Sequence, residues 1–114
     1  MDNDLLSTIK KQSEEERAKL DLKAYDLIIK GVKITDPKRI DIRGNLTCGE
    51  NVKIDINVIF EGDVVLDNGV SVGPNCILKD CQIGKNTIIH AFSMIDEAHI
   101  GEACFIGPYG RIRP

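Results

Sequence analysis

The sequence predicts a mainly β chain: a parallel β-helix of about four coils preceded by an N-terminal α-helical arm. Three observations predict it. First, an aliphatic residue or a close substitute returns every six positions from Ile42, through Cys48, Ile54, Phe60, Leu66, Val72 and Leu78. The beat resumes at Ile83, Ile89 and Ile95, then at Ile100, Ile106 and Ile112, after five-residue steps from Leu78 to Ile83 and from Ile95 to Ile100. Neither a helix of period 3.6 nor alternating hairpin strands keep such a beat, whereas a solenoid of short turns does. Second, the chemistry around the beat repeats. Gly or an acidic residue follows it at Gly49, Asp55, Glu61, Asp67, Gly73, Gly84, Asp96, Gly101 and Gly107. A small or β-branched residue comes four places after it at Val52, Val58, Val64, Val70, Cys76, Thr87, Ser93, Cys104 and Gly110. Third, the chain before Gly31 lacks the beat and carries helix signals instead.

The arm, residues 1–31, comes first. Ser13-Glu14-Glu15-Glu16 reads as a capping box, with Ser13 as N-cap and Glu16 reaching back to it. Acidic residues then fill the first turn and Lys30 lies in the last, as the helix dipole favours. Gly31 suits the left-handed position that ends many helices. A weaker helical stretch around Leu5, Leu6 and Ile9 precedes the capping box. Apolar residues occupy two sides of the main helix, Ala18, Leu22, Tyr25 and Ile29 on one and Leu20, Ala24, Leu27 and Ile28 on the other. A helix apolar on two sides is usually sandwiched between partners, and that is the expectation here. A helix folded onto the end of the solenoid would cover one side only.

Residues 32–41 form a connector, in which Asp36-Pro37 is a turn and helix-stop signal. The β-helix, residues 42–114, follows and is expected to be incomplete at its C-terminal end. In each hexad a short strand aims the beat residue inward, and Gly or a polar residue just after it makes the corner. Three such strands close one coil, and coils stack at the strand spacing of about 4.8 Å. The two five-residue hexads are expected to have tightened corners.

Composition excludes several classes. The net charge is −3, Trp is absent and aromatics make up 4%, which leaves neither the electrostatic footprint nor the stacking surface of a nucleic-acid binder. Apolar runs are too short to span a bilayer. Met1-Asp2-Asn3-Asp4 has no hydrophobic signal region, so a soluble cytoplasmic protein is expected. Cys48, Cys76, Cys81 and Cys104 form no C-x-x-C pair and read as reduced core thiols. Asp55, Glu61 and Asp67 repeat once per hexad; turn chemistry explains them better than a calcium ladder does.

The hexads are similar to those of the hexapeptide-repeat acyltransferases, and that resemblance implies a left-handed coil. A more specific resemblance rests on Gly31-Val32, Asp36-Pro37, Asp41-Ile42-Arg43-Gly44, Asn57-Val58-Ile59-Phe60-Glu61-Gly62 and Ile106-Gly107-Pro108-Tyr109-Gly110-Arg111-Ile112-Arg113-Pro114. Over residues 25–114 the chain resembles the bacterial bifunctional enzymes that join glucosamine-1-phosphate acetyltransferase to N-acetylglucosamine-1-phosphate uridylyltransferase. The resemblance implies that the arm leads from a nucleotide-binding domain and that the β-helix trimerises. It also implies that Arg113 contacts the sugar phosphate, with Arg111 the weaker candidate. A planar guanidinium is suited to that contact because it pairs bidentately with phosphate oxygens.

No catalytic residue and no metal ligand is expected within this stretch. The histidine base and coenzyme groove of the family lie beyond the motif that ends at Pro114, and the chain has no Gly-rich nucleotide loop. His90 and His99 match no such base and read as surface or corner residues. No cofactor is expected here, although acetyl-coenzyme A and magnesium are implied for the complete enzyme. The last coil is expected to leave an open strand edge, which favours an oligomer, most simply a homotrimer. The reading is therefore a catalytically incomplete part of an enzyme of UDP-N-acetylglucosamine synthesis. The alternative is a non-catalytic trimerising scaffold.

Overall fold

The computed structural model describes residues 3–114. The first two positions of the expected arm, Met1 and Asp2, lie outside the described residues. Among the described residues, helix α1 (Asn3–Ile29) leads into twelve short strands, with a 3-10 turn at Pro37–Arg39 between the first two. Every strand pairing among the described residues is parallel. Among the described residues no helix is long and apolar enough to cross a membrane.

The strands stack on three faces. The first face carries β1 (Lys33–Ile34), β4 (Lys53–Ile54), β6 (Ser71–Val72), β8 (Ile88–Ile89) and β11 (Phe105–Ile106). The second carries β2 (Ile40–Ile42), the leading parts of β5 (Val58–Leu66) and β7 (Ile77–Ile83), then β9 (Met94–Asp96) and β12 (Arg111–Ile112). The third carries β3 (Asn45–Cys48), the trailing parts of β5 and β7, and β10 (His99–Ile100).

The pairing register places the beat residues in three columns. Ile34, Ile54, Val72, Ile89 and Ile106 form one. Ile42, Phe60, Leu78, Ile95 and Ile112 form the second. Cys48, Leu66 and Ile83 form the third, which Ile100 completes. Most of these side chains are buried, as are Val52, Val58, Val64, Val70, Cys76, Thr87 and Ser93, the residues four places after a beat. The interior is thus filled by two residue types in alternation, a large one from the middle of each face and a small one beside each corner. This is the parallel β-helix that the six-residue beat predicted.

The corners differ from the expectation in position. Gly107 (φ 82°) apart, the residues directly after the beat do not have left-handed φ; it falls mostly three places after the beat, at Asn51, Asn57, Gly69, Asn75, Asn86, Phe92, Ala103 and Tyr109, and at Gly62 two places after Phe60. The Gly or acidic residue after the beat closes the strand instead. Asp55 and Asp67 each accept a hydrogen bond from the next backbone N–H, at 2.8 and 2.7 Å. Asn recurs at the left-handed position because its short amide tolerates that conformation. It also ties neighbouring coils together, as in the 3.2 Å bond from Asn57 Nδ2 to Asn75 Oδ1.

In the two five-residue hexads the left-handed residue arrives one place early, at Asp80 and Glu97. Asp80 stands opposite both Gly62 and Asp63 and produces a register shift between Glu61 and Val64. Its Oδ1 accepts from the Asp63 N–H at 3.0 Å, which closes the shortened corner. The coils therefore shorten by one residue at this point. Asn45 bonds Asp63 eighteen residues on, whereas Asp63 bonds Asp80 seventeen residues on.

The first rung lies ahead of Ile42. Lys33-Ile34 pairs with Lys53-Ile54, so part of the connector already belongs to the first face. The 3-10 turn, capped by Asp36 accepting from Lys38 N–H at 3.0 Å, inserts extra residues between Ile34 and Ile42 and hides the beat there.

Helix α1 corrects two expectations. Ser13 is not an N-cap, and Glu14–Glu16 do not form a first turn: the helix is already formed at Asn3 and runs through both. Leu5 to Gln12 contain good helix formers and neither Gly nor Pro, so propagation past Ser13 costs little. The C-terminal end is as expected at Gly31 (φ 104°), which donates to Ile28 O while Val32 donates to Leu27 O, both at 3.0 Å. These are the two bonds of a Schellman cap, and Val32 and Leu27 are both buried beneath it. Lys30 lies just past the last turn, and its ion pair with Asp26 is exposed.

Within the chain the arm is covered on one side only. Ala24 and Leu27 are buried, whereas Leu22 and Ile29 are 68% and 83% exposed. The covered side caps the edge of the first coil. Arg17 Nη2 donates to Ile40 O at 2.8 Å, and Lys23 Nζ donates to Ile42 O and Gly44 O at 3.1 and 3.2 Å. These carbonyls belong to the first coil, which has no coil before it to pair with. Two cations on one helix satisfy them in place of a sheet neighbour.

Candidate functional site

The candidate site lies at the last coil, where Arg111 and Arg113 flank the half-buried Ile112. Strand alternation explains the arrangement: Ile112 turns inward over Ile95, and both arginines turn outward. Arg111 sits over Met94 in the register, and by continuation Arg113 sits over Asp96. Both arginines are exposed, and among the described residues neither side chain has a hydrogen bond or ion pair.

The approach to the strand is rigidly built. Ile106 is buried, the Gly107–Pro108 bond is cis, and Tyr109 follows at φ 58°. Gly107 has φ 82°, and a Cβ there would collide with Ser93 Oγ. That hydroxyl accepts from the Gly110 N–H at 3.1 Å and thereby joins the last two coils just before Arg111.

Two features of this region were not read from the sequence. Phe92 and Tyr109 stack at 5.3 Å with 8° between their rings. They stand at successive left-handed corners, in the column that Asn57 and Asn75 occupy lower down. The other feature is Asp96, half-buried beneath Arg113, whose Oδ1 is closed off from solvent and without a hydrogen-bond partner among the described residues. A spacing of seventeen residues links both pairs, 92 with 109 and 96 with 113, and would have exposed them.

The remaining reactive side chains are dispersed. His90 is exposed and stacks on Phe105 at 6.4 Å; His99 is exposed on the third face. Neither is hydrogen-bonded to an orienting carboxylate among the described residues. All four cysteines are free, and Cys76 and Cys81 are buried. Burial pushes the Cys48 thiol up to about 11. It pushes Cys81 up to about 12, with the nearby charges of Asp80 and Asp96 adding to the shift. These are packing thiols, poor in the reactive thiolate. Among the described residues no group of three His, Cys, Asp or Glu side chains could hold a metal ion.

Comparison with known proteins gives this geometry a family. The model of the GMPPB C-terminal domain matches residues 42–114. The chain belongs to this family. It is also similar to several curated proteins called bifunctional protein GlmU. The one from Nitrosospira multiformis is 57% identical over 91 residues, which cover 80% of this chain and 20% of the relative. The one from Pseudoalteromonas atlantica is 48% identical with the same coverage. The one from Burkholderia vietnamiensis is 51% identical over 88 residues, 77% of this chain and 19% of the relative. The chain thus spans about one fifth of the length of the curated relatives it matches. The matched family residues take in the whole run from Ile42 to Pro114, including the coil that bears Arg113.

Proposed function

We propose that this chain is the connecting arm and first coils of a cytoplasmic bifunctional enzyme of UDP-N-acetylglucosamine synthesis. The enzyme would be a glucosamine-1-phosphate N-acetyltransferase and N-acetylglucosamine-1-phosphate uridylyltransferase. The observation that carries the reading is the 57% identity to a bifunctional GlmU over 91 residues, on a backbone whose beat residues stack in register. In the acetyl-transfer reaction the acetyl group passes from acetyl-coenzyme A to the amine of glucosamine 1-phosphate. The part of this segment is to hold the sugar phosphate through Arg113, which is exposed and free for a bidentate contact.

The 114 residues alone are expected to be inactive. General-base work needs a positioned partner geometry, and among the described residues neither His90 nor His99 has one. The described residues do not fit magnesium, so no step is assigned through it. Assembly into a homotrimer would cover the exposed faces and bring in the surfaces that a single solenoid lacks.

The test is acetyl-transfer kinetics in the enzyme that contains this segment. A charge-assisted contact contributes about 1.5–3 kcal/mol, so Arg113→Gln should raise KM for glucosamine 1-phosphate roughly 10- to 150-fold. An unchanged KM would remove Arg113 from the site. Turnover above background by the 114-residue chain would overturn the proposal that it is incomplete.

The alternative, a non-catalytic trimerising scaffold, is favoured by the uncovered side of the arm, where Leu22 and Ile29 face outward. A stable trimer with no affinity for sugar phosphate, even within the longer protein, would decide for it.

A further inference from the structure

The outward residues just after the beat on the second face alternate in charge. They are Arg43, Glu61, Lys79, Asp96 and Arg113, one from each successive rung. Arg43 and Glu61 form an ion pair at 3.4 Å. Glu61 is the register partner of Lys79, and Lys79 is that of Asp96. Adjacent rungs lie about 4.8 Å apart, well within reach of a long cationic side chain. At the top of this ladder the two ends are unsatisfied. Asp96 Oδ1 is closed off from solvent and has no hydrogen-bond partner, and Arg113 directly above it has no partner either, among the described residues. A shielded carboxylate oxygen without a donor is costly and calls for one.

We propose that Asp96 is the positioning carboxylate of Arg113, its Oδ1 accepting from one edge of the guanidinium so that the other edge faces outward. Arg suits this place better than Lys, because its planar fork can serve two anions at once. The outward edge is the one a phosphate would take, and in that respect the inference rests on the function proposed above. The other charges around Asp96 are Lys79 below it on the same face, Arg111 beside Arg113, and Asp80 and Glu97 at the adjoining corners. Lys79 is exposed and makes no ion pair among the described residues, which leaves it as the competing donor.

The ion pair can be tested without any substrate, by nitrogen NMR of the arginine side chains in the 114-residue chain. A charge-assisted bond to a carboxylate orders the guanidinium, so Asp96→Asn should shift the Arg113 Nε–H resonance and leave that of Arg111 nearly in place. Lys79→Gln should change it little. An unmoved Arg113 resonance in Asp96→Asn, or an equal shift at Arg111, overturns the assignment. In the active enzyme, Asp96→Asn should raise KM for the sugar phosphate several-fold while leaving kcat largely intact, and Asp96→Glu should restore it. Equal losses in kcat and KM from both variants would mark a structural role and also overturn the proposal. The phosphate reading fails separately: inorganic phosphate would then leave the Arg113 Nε resonance unmoved while that resonance still responded to Asp96→Asn.

Discussion

Removing the Arg17 guanidinium should loosen the arm from the solenoid, because three contacts converge on it. Its Nε pairs with Asp21 at 2.8 Å, its Nη1 with Asp41 at 2.7 Å, and its Nη2 donates to Ile40 O at 2.8 Å. The Arg17 and Asp41 side chains are 34% and 26% exposed, so solvent screens both ion pairs and each contributes about 0.2–1 kcal/mol. The carbonyl of Ile40 loses its donor at the edge of the first coil, at about 1 kcal/mol. Arg17→Ala should therefore cost roughly 1.5–3 kcal/mol, or about 5–12 °C in Tm for a domain of this size. Hydrogen exchange should localise the loss to residues 14–29 and to the first coil, with the distal coils unaffected. A fall below about 0.3 kcal/mol, or exchange that rises evenly along the chain, would refute the view that Arg17 clamps the arm. The same clamp has an acid limit. Burial alone would raise the Asp41 carboxyl, but hydrogen bonds from Arg17 and Arg43 outweigh it and hold Asp41 below its usual value of 3.8. A lowered folded-state value stabilises above the unfolded value and loses that stabilisation as pH falls through the folded one. The arm should thus stay docked at pH 5–8 and begin to release only below about pH 4, and Asp41→Asn should flatten that acid limb.

Three further outcomes follow from the packing. Phe60 fills the interior at 1% exposure, so Phe60→Ala should cost about 3–5 kcal/mol, measured by urea unfolding; a loss under 1 kcal/mol would contradict its place in the second column. Gly107→Ala should destabilise the last coil by about 1–3 kcal/mol, because φ 82° is strained for alanine and the new methyl meets Ser93 Oγ; the pairing Ser93→Ala should recover part of the loss. With its thiol pushed up to about 12, Cys81 should resist iodoacetamide at pH 8 in the folded chain and react only after unfolding; rapid labelling in native buffer would contradict its burial.

The beat was legible because the interior imposes it. Each face has room for one large inward residue, so Ile54, Val72, Ile89 and Ile106 repeat whatever their surroundings require. The corner was harder to read. Gly49, Asp55 and Gly73 follow the beat and look like turn residues, yet the left-handed backbone sits two places later, at Asn51, Asn57 and Asn75. The rule is a recurring Asn, and it is obscured where Phe92, Ala103 and Tyr109 take the same conformation without Asn's tolerance for it. The first rung was hidden by the Pro37 turn, whose inserted residues displace Ile34 from the six-residue beat. In the arm, Ser13 carried a capping pattern that an uninterrupted helix simply ignores. The two apolar sides were read correctly as composition, but only tertiary contact separates Ala24 and Leu27, which pack, from Leu22 and Ile29, which do not. As for the site, Arg113 is visible through its motif. Asp96 becomes visible only once the five-residue hexads set the repeat to seventeen and bring position 96 under position 113.

That change of repeat is also the most direct point of test. Methyl-to-methyl NOE spectroscopy on selectively labelled Ile, Leu and Val should give cross-peaks for Ile54–Val72 before the shortened corner, and for Leu66–Ile83, Leu78–Ile95 and Ile89–Ile106 after it. Cross-peaks between strands running in opposite directions, or inward methyls that contact only their neighbours in sequence, would contradict the stacked columns on which the candidate site is built.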